Sequence, residues 1–196
     1  MVGNPNNFLG PNGAIPSFNG GSYWENLTTS ANFQIEEGAG VFSGLGINTA
    51  GTSSAVTMYD GLSSTVTITL ASPGVITWPE HGLAAGVAVK FTTSSGGALP
   101  TGLTANTTYY VAQDANLTAN TFAVSDTKTH ALAGTNQINT SGSQSGTQTG
   151  WNVSDPIGTY STTAQDFIPV GAAIEEGLIA IATDGGGAAN LTIFYV

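Results

Sequence analysis

The arrangement of apolar residues limits this chain's fold more than any other feature. From Phe33 onward they come in short runs, Val41-Phe42, Leu45-Gly46-Ile47 and Ala55-Val56-Thr57-Met58-Tyr59, with a Gly-Thr-Ser-Ser turn before the last. An amphipathic helix repeats its apolar face every three or four residues over ten or more positions, whereas short alternating runs bounded by turns are the signature of half-buried strands. The polar remainder is Thr, Ser, Asn and Gly, which suits strands and tight turns and gives a helix little support. The expected fold class is therefore all-β. Hydrophobic residues make up 40% and charged residues only 7% of the 196, with mean hydropathy +0.11, so the chain can build a core. A disordered chain has the opposite balance.

Twelve acids against two lysines give a formal charge of −10 and a pI near 4.1. That charge repels phosphate backbones and anionic lipid, so neither nucleic acid nor a membrane is expected as a partner. No apolar run approaches the roughly 18 residues that cross a bilayer, and the start Met1-Val2-Gly3-Asn4-Pro5 lacks the regions of a signal peptide, so the chain is expected to be soluble and unprocessed. Cysteine is absent, and stability must come from packing instead of disulfides. Asn-x-Ser/Thr triplets at Asn26, Asn106, Asn116, Asn139, Asn152 and Asn190 are read as a product of composition.

Three regions follow one another. Residues 1–32 are rich in Gly, Asn and Pro but carry apolar anchors at Phe8, Leu9, Ile15, Phe18, Tyr23 and Trp24, which is the pattern of an extended arm that docks on its own domain or on a neighbouring subunit. Residues 33–69 and 149–196 are expected to form an outer β-sandwich or barrel-like domain. Gly44-Leu45-x-Ile47-x-Thr49-x-Gly51 resembles Gly177-Leu178-x-x-Ile181-x-Thr183-x-Gly185 after one inserted residue, and Ala55–Tyr59 resembles Asn190–Tyr195. Both read as hairpins with glycine-rich turns. Residues 70–148 are expected to be a small inserted β module, with Thr140–Gly150 as a flexible return linker. Both histidines and both lysines lie in this middle stretch, which holds three acids against two bases, while its flanks hold nine acids and no base.

The module carries a distinctive set: His81-Gly82-Leu83, Gly86, Val89-x-Phe91, Leu99-Pro100-x-Gly102-Leu103, Tyr109-Tyr110-Val111 and Thr121-Phe122-x-Val124-Ser125. It resembles a small β module that recurs in virion proteins of tailed bacteriophages, related in fold to a half-domain of ubiquitin-activating enzymes. In such a module Gly82, Gly86 and Gly102 would serve turns, Pro100 would fix a bend, and Phe91, Leu103, Tyr109, Val111 and Phe122 would form the core. Without cysteine, thioester chemistry is excluded. The flanks, with Met58-Tyr59-Asp60-Gly61, Ile168-Pro169-Val170 and the closing Leu191–Val196, resemble the sandwich core of phage structural proteins.

Residues able to do chemistry are few. His81 precedes a turn glycine and reads as a hydrogen-bonded turn residue; no nucleophile elbow, P-loop or dinucleotide fingerprint is present. Glu36-Glu37 and Glu175-Glu176 would point to opposite faces of a strand, which suits a solvated edge better than a catalytic pair. Asp184 on its glycine-rich turn falls far short of a calcium shell. The chain is therefore expected not to be an enzyme, with no catalytic residues, no metal and no cofactor.

The resemblance implies a structural virion protein: a decoration or cement protein on the outer capsid surface, bridging subunits of the major capsid protein and self-associating, in such families as a homotrimer. Phe8, Leu9, Ile15, Phe18, Tyr23 and Trp24 would form the capsid interface. The alternative is a tail or head fibre component that binds host glycans, with Trp24, Trp78 and Trp151 as stacking platforms.

Overall fold

The alternating segments become strands. The computed structural model describes residues 23–28, 31–183 and 188–196 and contains, in chain order, β1 (Tyr23–Thr28), β2 (Phe33–Glu37), β3 (Gly40–Thr49), β4 (Ala55–Asp60), β5 (Ser63–Ile68), β6 (Ile76–Thr77), β7 (Ala88–Thr93), β8 (Tyr109–Val111), β9 (Thr121–Phe122), β10 (Val124–Ser125), the one-turn α1 (Lys128–Leu132), β11 (Gln148–Asn152), β12 (Asp155–Ser161), β13 (Phe167–Ile174), β14 (Gly177–Thr183) and β15 (Asn190–Tyr195). Among the described residues the fold is all-β apart from that helical turn. It divides into two units: the described residues of Met1–Asp60 with Pro156–Val196, and Gly61–Asp155.

The first unit is a β-sandwich. One four-stranded sheet has the order β1-β15-β3-β13, the other β12-β4-β14-β2, and both bury one face in a common core. The period of two sets that face. In β4, Val56 and Met58 point inward while Thr57 and Tyr59 do not; in β15, Leu191, Ile193 and Tyr195 point inward while Thr192 and Phe194 do not. Phe42, Leu45, Ile47 and Leu178 complete the centre, each fully or almost fully buried. Burying one such side chain contributes about 1.5–3 kcal/mol.

The expected hairpins are not hairpins. β3 and β4 lie in different sheets, and so do β14 and β15. The period of two says which face of a strand is buried, and a strand pair that arches from one sheet to the other buries the same faces as a hairpin does. The five-residue connection Ala50–Ser54 is long enough to make that crossing, and it is tied to the connection after β12: the Ser54 and Thr162 hydroxyls lie 2.6 Å apart, and Gly51 N–H donates to Thr162 O at 2.9 Å.

The similarity between the two ends goes deeper than the hairpin comparison. Replacing β1, β2, β3 and β4 by β12, β13, β14 and β15, and the reverse, turns the order of the first sheet into the order of the second. Connection lengths agree to within one residue: 29–32 with 162–166, 38–39 with 175–176, and 50–54 with 184–189. The interchange holds in the registers as well: Glu37 of β2 lies opposite Gly177 of β14, as Ile174 of β13 lies opposite Gly40 of β3. Consecutive strands always change sheet, so every ladder in the sandwich joins a strand of the first half to a strand of the second.

The second unit is a seven-stranded sheet of order β10-β8-β7-β11-β5-β6-β9. Its two end strands, β9 and β10, follow one another in the chain with only Ala123 between them, so the sheet curls into a nearly closed barrel. Phe91, Val111 and Phe122 are fully buried, with Leu103, Tyr109, Val89 and Trp78 around them. Gly82, Gly86 and Gly102 have φ of +62°, +81° and +107°, backbone that other residues adopt only with strain.

The segment expected as a flexible linker is integral to this sheet. β11 is a central strand, paired with β5 on one side and β7 on the other. Ahead of it, Thr140 N–H donates to Ala71 O at 2.9 Å, Gln144 Nε2 donates to Ile68 O at 2.6 Å, and Ser145 and Ala98 exchange two backbone hydrogen bonds. Polar side chains that would be solvated in a linker instead satisfy backbone groups here. Gly150 has a packing role: a Cβ at this position would lie 2.7 Å from the Trp78 ring. Both ends of the unit are also joined, with Asn152 N–H donating to Leu62 O at 2.9 Å and Ser63 opposite Trp151.

Candidate interaction surface

Of the arm residues expected at an interface, Phe8, Leu9, Ile15 and Phe18 lie outside the described residues. Tyr23 and Trp24 fall on β1, in register with Tyr195 and Phe194. β1 is an edge strand of its sheet. Among the described residues, β1 has a ladder partner on one side only.

The face of that sheet turned away from the core carries a neutral surface. Thr192 Oγ1 donates to Asn26 Oδ1 at 2.8 Å, and Asn48 Nδ2 donates to Thr192 Oγ1 and Asn190 Oδ1, each at 2.8 Å, which links β1, β15 and β3 by side chains alone. Beside this ladder, Phe167 and Phe194 meet edge to face with ring centroids 5.7 Å apart. Phe194 and Phe167 lie opposite Gly44 and Gly46 of β3, and a Cβ at Gly44 would press on the Ile168 carbonyl of β13. Further along, Val41 and Val196 exchange backbone hydrogen bonds of 2.7 and 3.0 Å and are 37% and 40% exposed. Ala173, opposite Val41 on β13, is also exposed. Val41, Ala173, Phe167, Phe194 and Val196 make an apolar strip beside an amide and hydroxyl ladder.

Sequence reasoning did not pick out this face. Its signal lay in β15, where alternation puts Asn190, Thr192 and Phe194 on the side away from the core, so one aromatic residue interrupts an otherwise polar series.

The remaining candidates make local hydrogen bonds and ring contacts. Leu83 N–H donates to His81 Nδ1 at 2.9 Å, and the ring stands edge to face on Phe122 at 5.0 Å, so His81 holds a turn. His130 lies 2.6 Å from Asp126 at the start of α1, where Thr127 caps the helix by accepting from His130 N–H, and the hydrogen bond from His130 holds the exposed Asp126 carboxyl below its ordinary value. Glu36 and Glu37 end the edge strand β2. Glu175 and Glu176 form the exposed β13–β14 turn, whose N–H groups donate to the carboxylate of Asp60 at 2.7 and 2.8 Å, joined by Gly177 N–H at 3.1 Å. Among the described residues no group of three or more His, Asp or Glu is placed to hold a metal ion, and no helix is long and apolar enough to cross a membrane. Trp78 and Trp151 are buried, and Trp151 Nε1 donates to Thr92 Oγ1 at 2.8 Å, so neither offers a ring face to a sugar.

No protein-family model, curated protein or solved structure matches the chain.

Proposed function

We propose that this chain is a structural component of a tailed-phage particle, bound to the outer capsid surface, where it bridges subunits of the major capsid protein. The observation that carries the reading is the neutral face of the β1-β15-β3-β13 sheet. In a chain of charge −10, its polar ladder is built wholly of Asn and Thr, and beside it lies an apolar strip. A protein that must lie flat on another protein surface needs such a face, because desolvating carboxylates without partners is costly. The arm reaches the same sheet through edge strand β1, so arm and face would act together over the roughly 1,000 Å² that a stable contact requires. The module's resemblance to virion modules supplies the particle. The acidic remainder of the chain suits the outside of a DNA container.

The test is attachment to purified particles. Removal of residues 1–22, or the pair Val41→Lys and Phe194→Lys on the neutral face, is expected to abolish attachment while leaving a folded chain. A copy number comparable to that of the major capsid protein is expected for the unaltered chain. A few copies per particle, or normal attachment of both variants, would refute the reading. The glycan-binding fibre loses its stacking platforms at Trp78 and Trp151.

A further inference from the structure

Among the described residues, each strand of the sandwich finds its ladder partners only in the other half: β1 on β15, β3 between β15 and β13, β4 between β12 and β14, and β2 on β14. The core is shared in the same way, with Phe42, Leu45, Ile47, Val56 and Met58 from the first half set among Leu178, Leu191 and Ile193 from the second. Neither half has a sheet of its own, because its consecutive strands never pair. Two identical four-stranded units that met about a two-fold axis would produce this strand order, and the similar connection lengths point to the same relation.

We propose that the two halves are separate, mutually recognising ligands, and that a second copy of this chain can supply either one. The segment β12–β15 of one molecule then completes β1–β4 of another, with the same ladders and the same core. Closed and exchanged forms contain identical sandwich contacts and differ only in how the halves are connected. The closed form prevails in dilute solution because its halves are tethered at high effective concentration. Exchange becomes the only route to a sandwich once each chain has just one sound half.

The test uses two full-length chains that cannot close. Leu45 and Ile193 face each other in the β3–β15 ladder, as do Thr49 and Asn190. One chain carries Leu45→Asp with Asn190→Cys; the other carries Ile193→Asp with Thr49→Cys. An exchanged sandwich takes an intact Leu45 from the second chain and an intact Ile193 from the first, and brings together the only two thiols in the sample, since the natural chain has no cysteine. Refolding the two together is expected to give a disulfide-linked heterodimer joined through positions 49 and 190, with strands β3 and β15 protected from hydrogen exchange. A single chain carrying only Thr49→Cys and Asn190→Cys should close the same bond internally. If that control closes and the mixture yields no heterodimer, the halves do not recognise each other in trans and the proposal is wrong.

Discussion

Unfolding the inserted unit should weaken the sandwich by an amount set by chain entropy alone. The halves β1–β4 and β12–β15 share every ladder, yet the covalent link between them is the whole of Gly61–Asp155, roughly 95 residues. When that unit is folded, the hydrogen bond from Asn152 N–H to Leu62 O closes it at the base. The effective connection is then only Gly61-Leu62 on one side and Asn152 to Asp155 on the other, about six residues. Loop closure costs (3/2)RT ln n, so lengthening the link from six to 95 residues removes about 2.5 kcal/mol from the sandwich. Phe91→Ala with Phe122→Ala, two fully buried rings costing about 3–5 kcal/mol each, should unfold the unit. Hydrogen exchange at the amides of β3, β14 and β15 then reads the sandwich separately. Protection is expected to fall by about 2.5 kcal/mol, and replacing 61–155 with a six-residue Gly/Ser linker should restore it. If the linker variant is as weak as the unfolded-unit variant, or if unfolding the unit changes nothing, loop closure is not what the unit contributes.

Three further outcomes are expected. Asp60→Ala strands the N–H groups of Glu175, Glu176 and Gly177 and should cost about 3 kcal/mol, read as a lower denaturant midpoint with an unchanged slope. Gly150→Ala drives a methyl group into the Trp78 ring and should destabilise the inserted unit by about 1–3 kcal/mol, detected as a shift in tryptophan fluorescence unfolding. Burial raises the Tyr59 phenol above its ordinary value, so the folded chain keeps a proton that the unfolded chain releases; stability is full below about pH 10 and falls as pH climbs toward the folded value. Tyr59→Phe should flatten that alkaline decline in a titration of unfolding free energy, and an unchanged slope would rule Tyr59 out as its source.

The strands, and the residues that make their cores, were legible in the sequence because alternation and burial obey local rules. Val56, Met58, Leu191 and Ile193 stand at every second position, and Phe91, Leu103, Tyr109, Val111 and Phe122 are the large apolar residues of their runs. Pairing was not legible in the same way. An arch and a hairpin bury the same side chains, so Leu45–Tyr59 reads identically whether β4 joins β3 or the facing sheet. The central place of β11 was hidden by composition, because Gln144, Ser145 and Gln148 look solvated until the backbone groups they satisfy are known. Anchoring on Gly44 and Gly177 matches β3 with β14 as elements, yet the two-fold relation of the halves becomes visible only once the sheet orders are seen to interchange. The neutral face required the register of three strands contributed by both halves.

The barrel-like sheet has a consequence for crowding. Its terminal strands, β9 and β10, are two residues long and consecutive, and the open side of β10 is already met by the bridge from Ser125 to Gln137. A sheet closed in this way offers almost no template on which a neighbour could add a strand. Many copies held side by side, at a density where an open sheet of the same sequence would seed fibrils, would not add strands to one another through this unit.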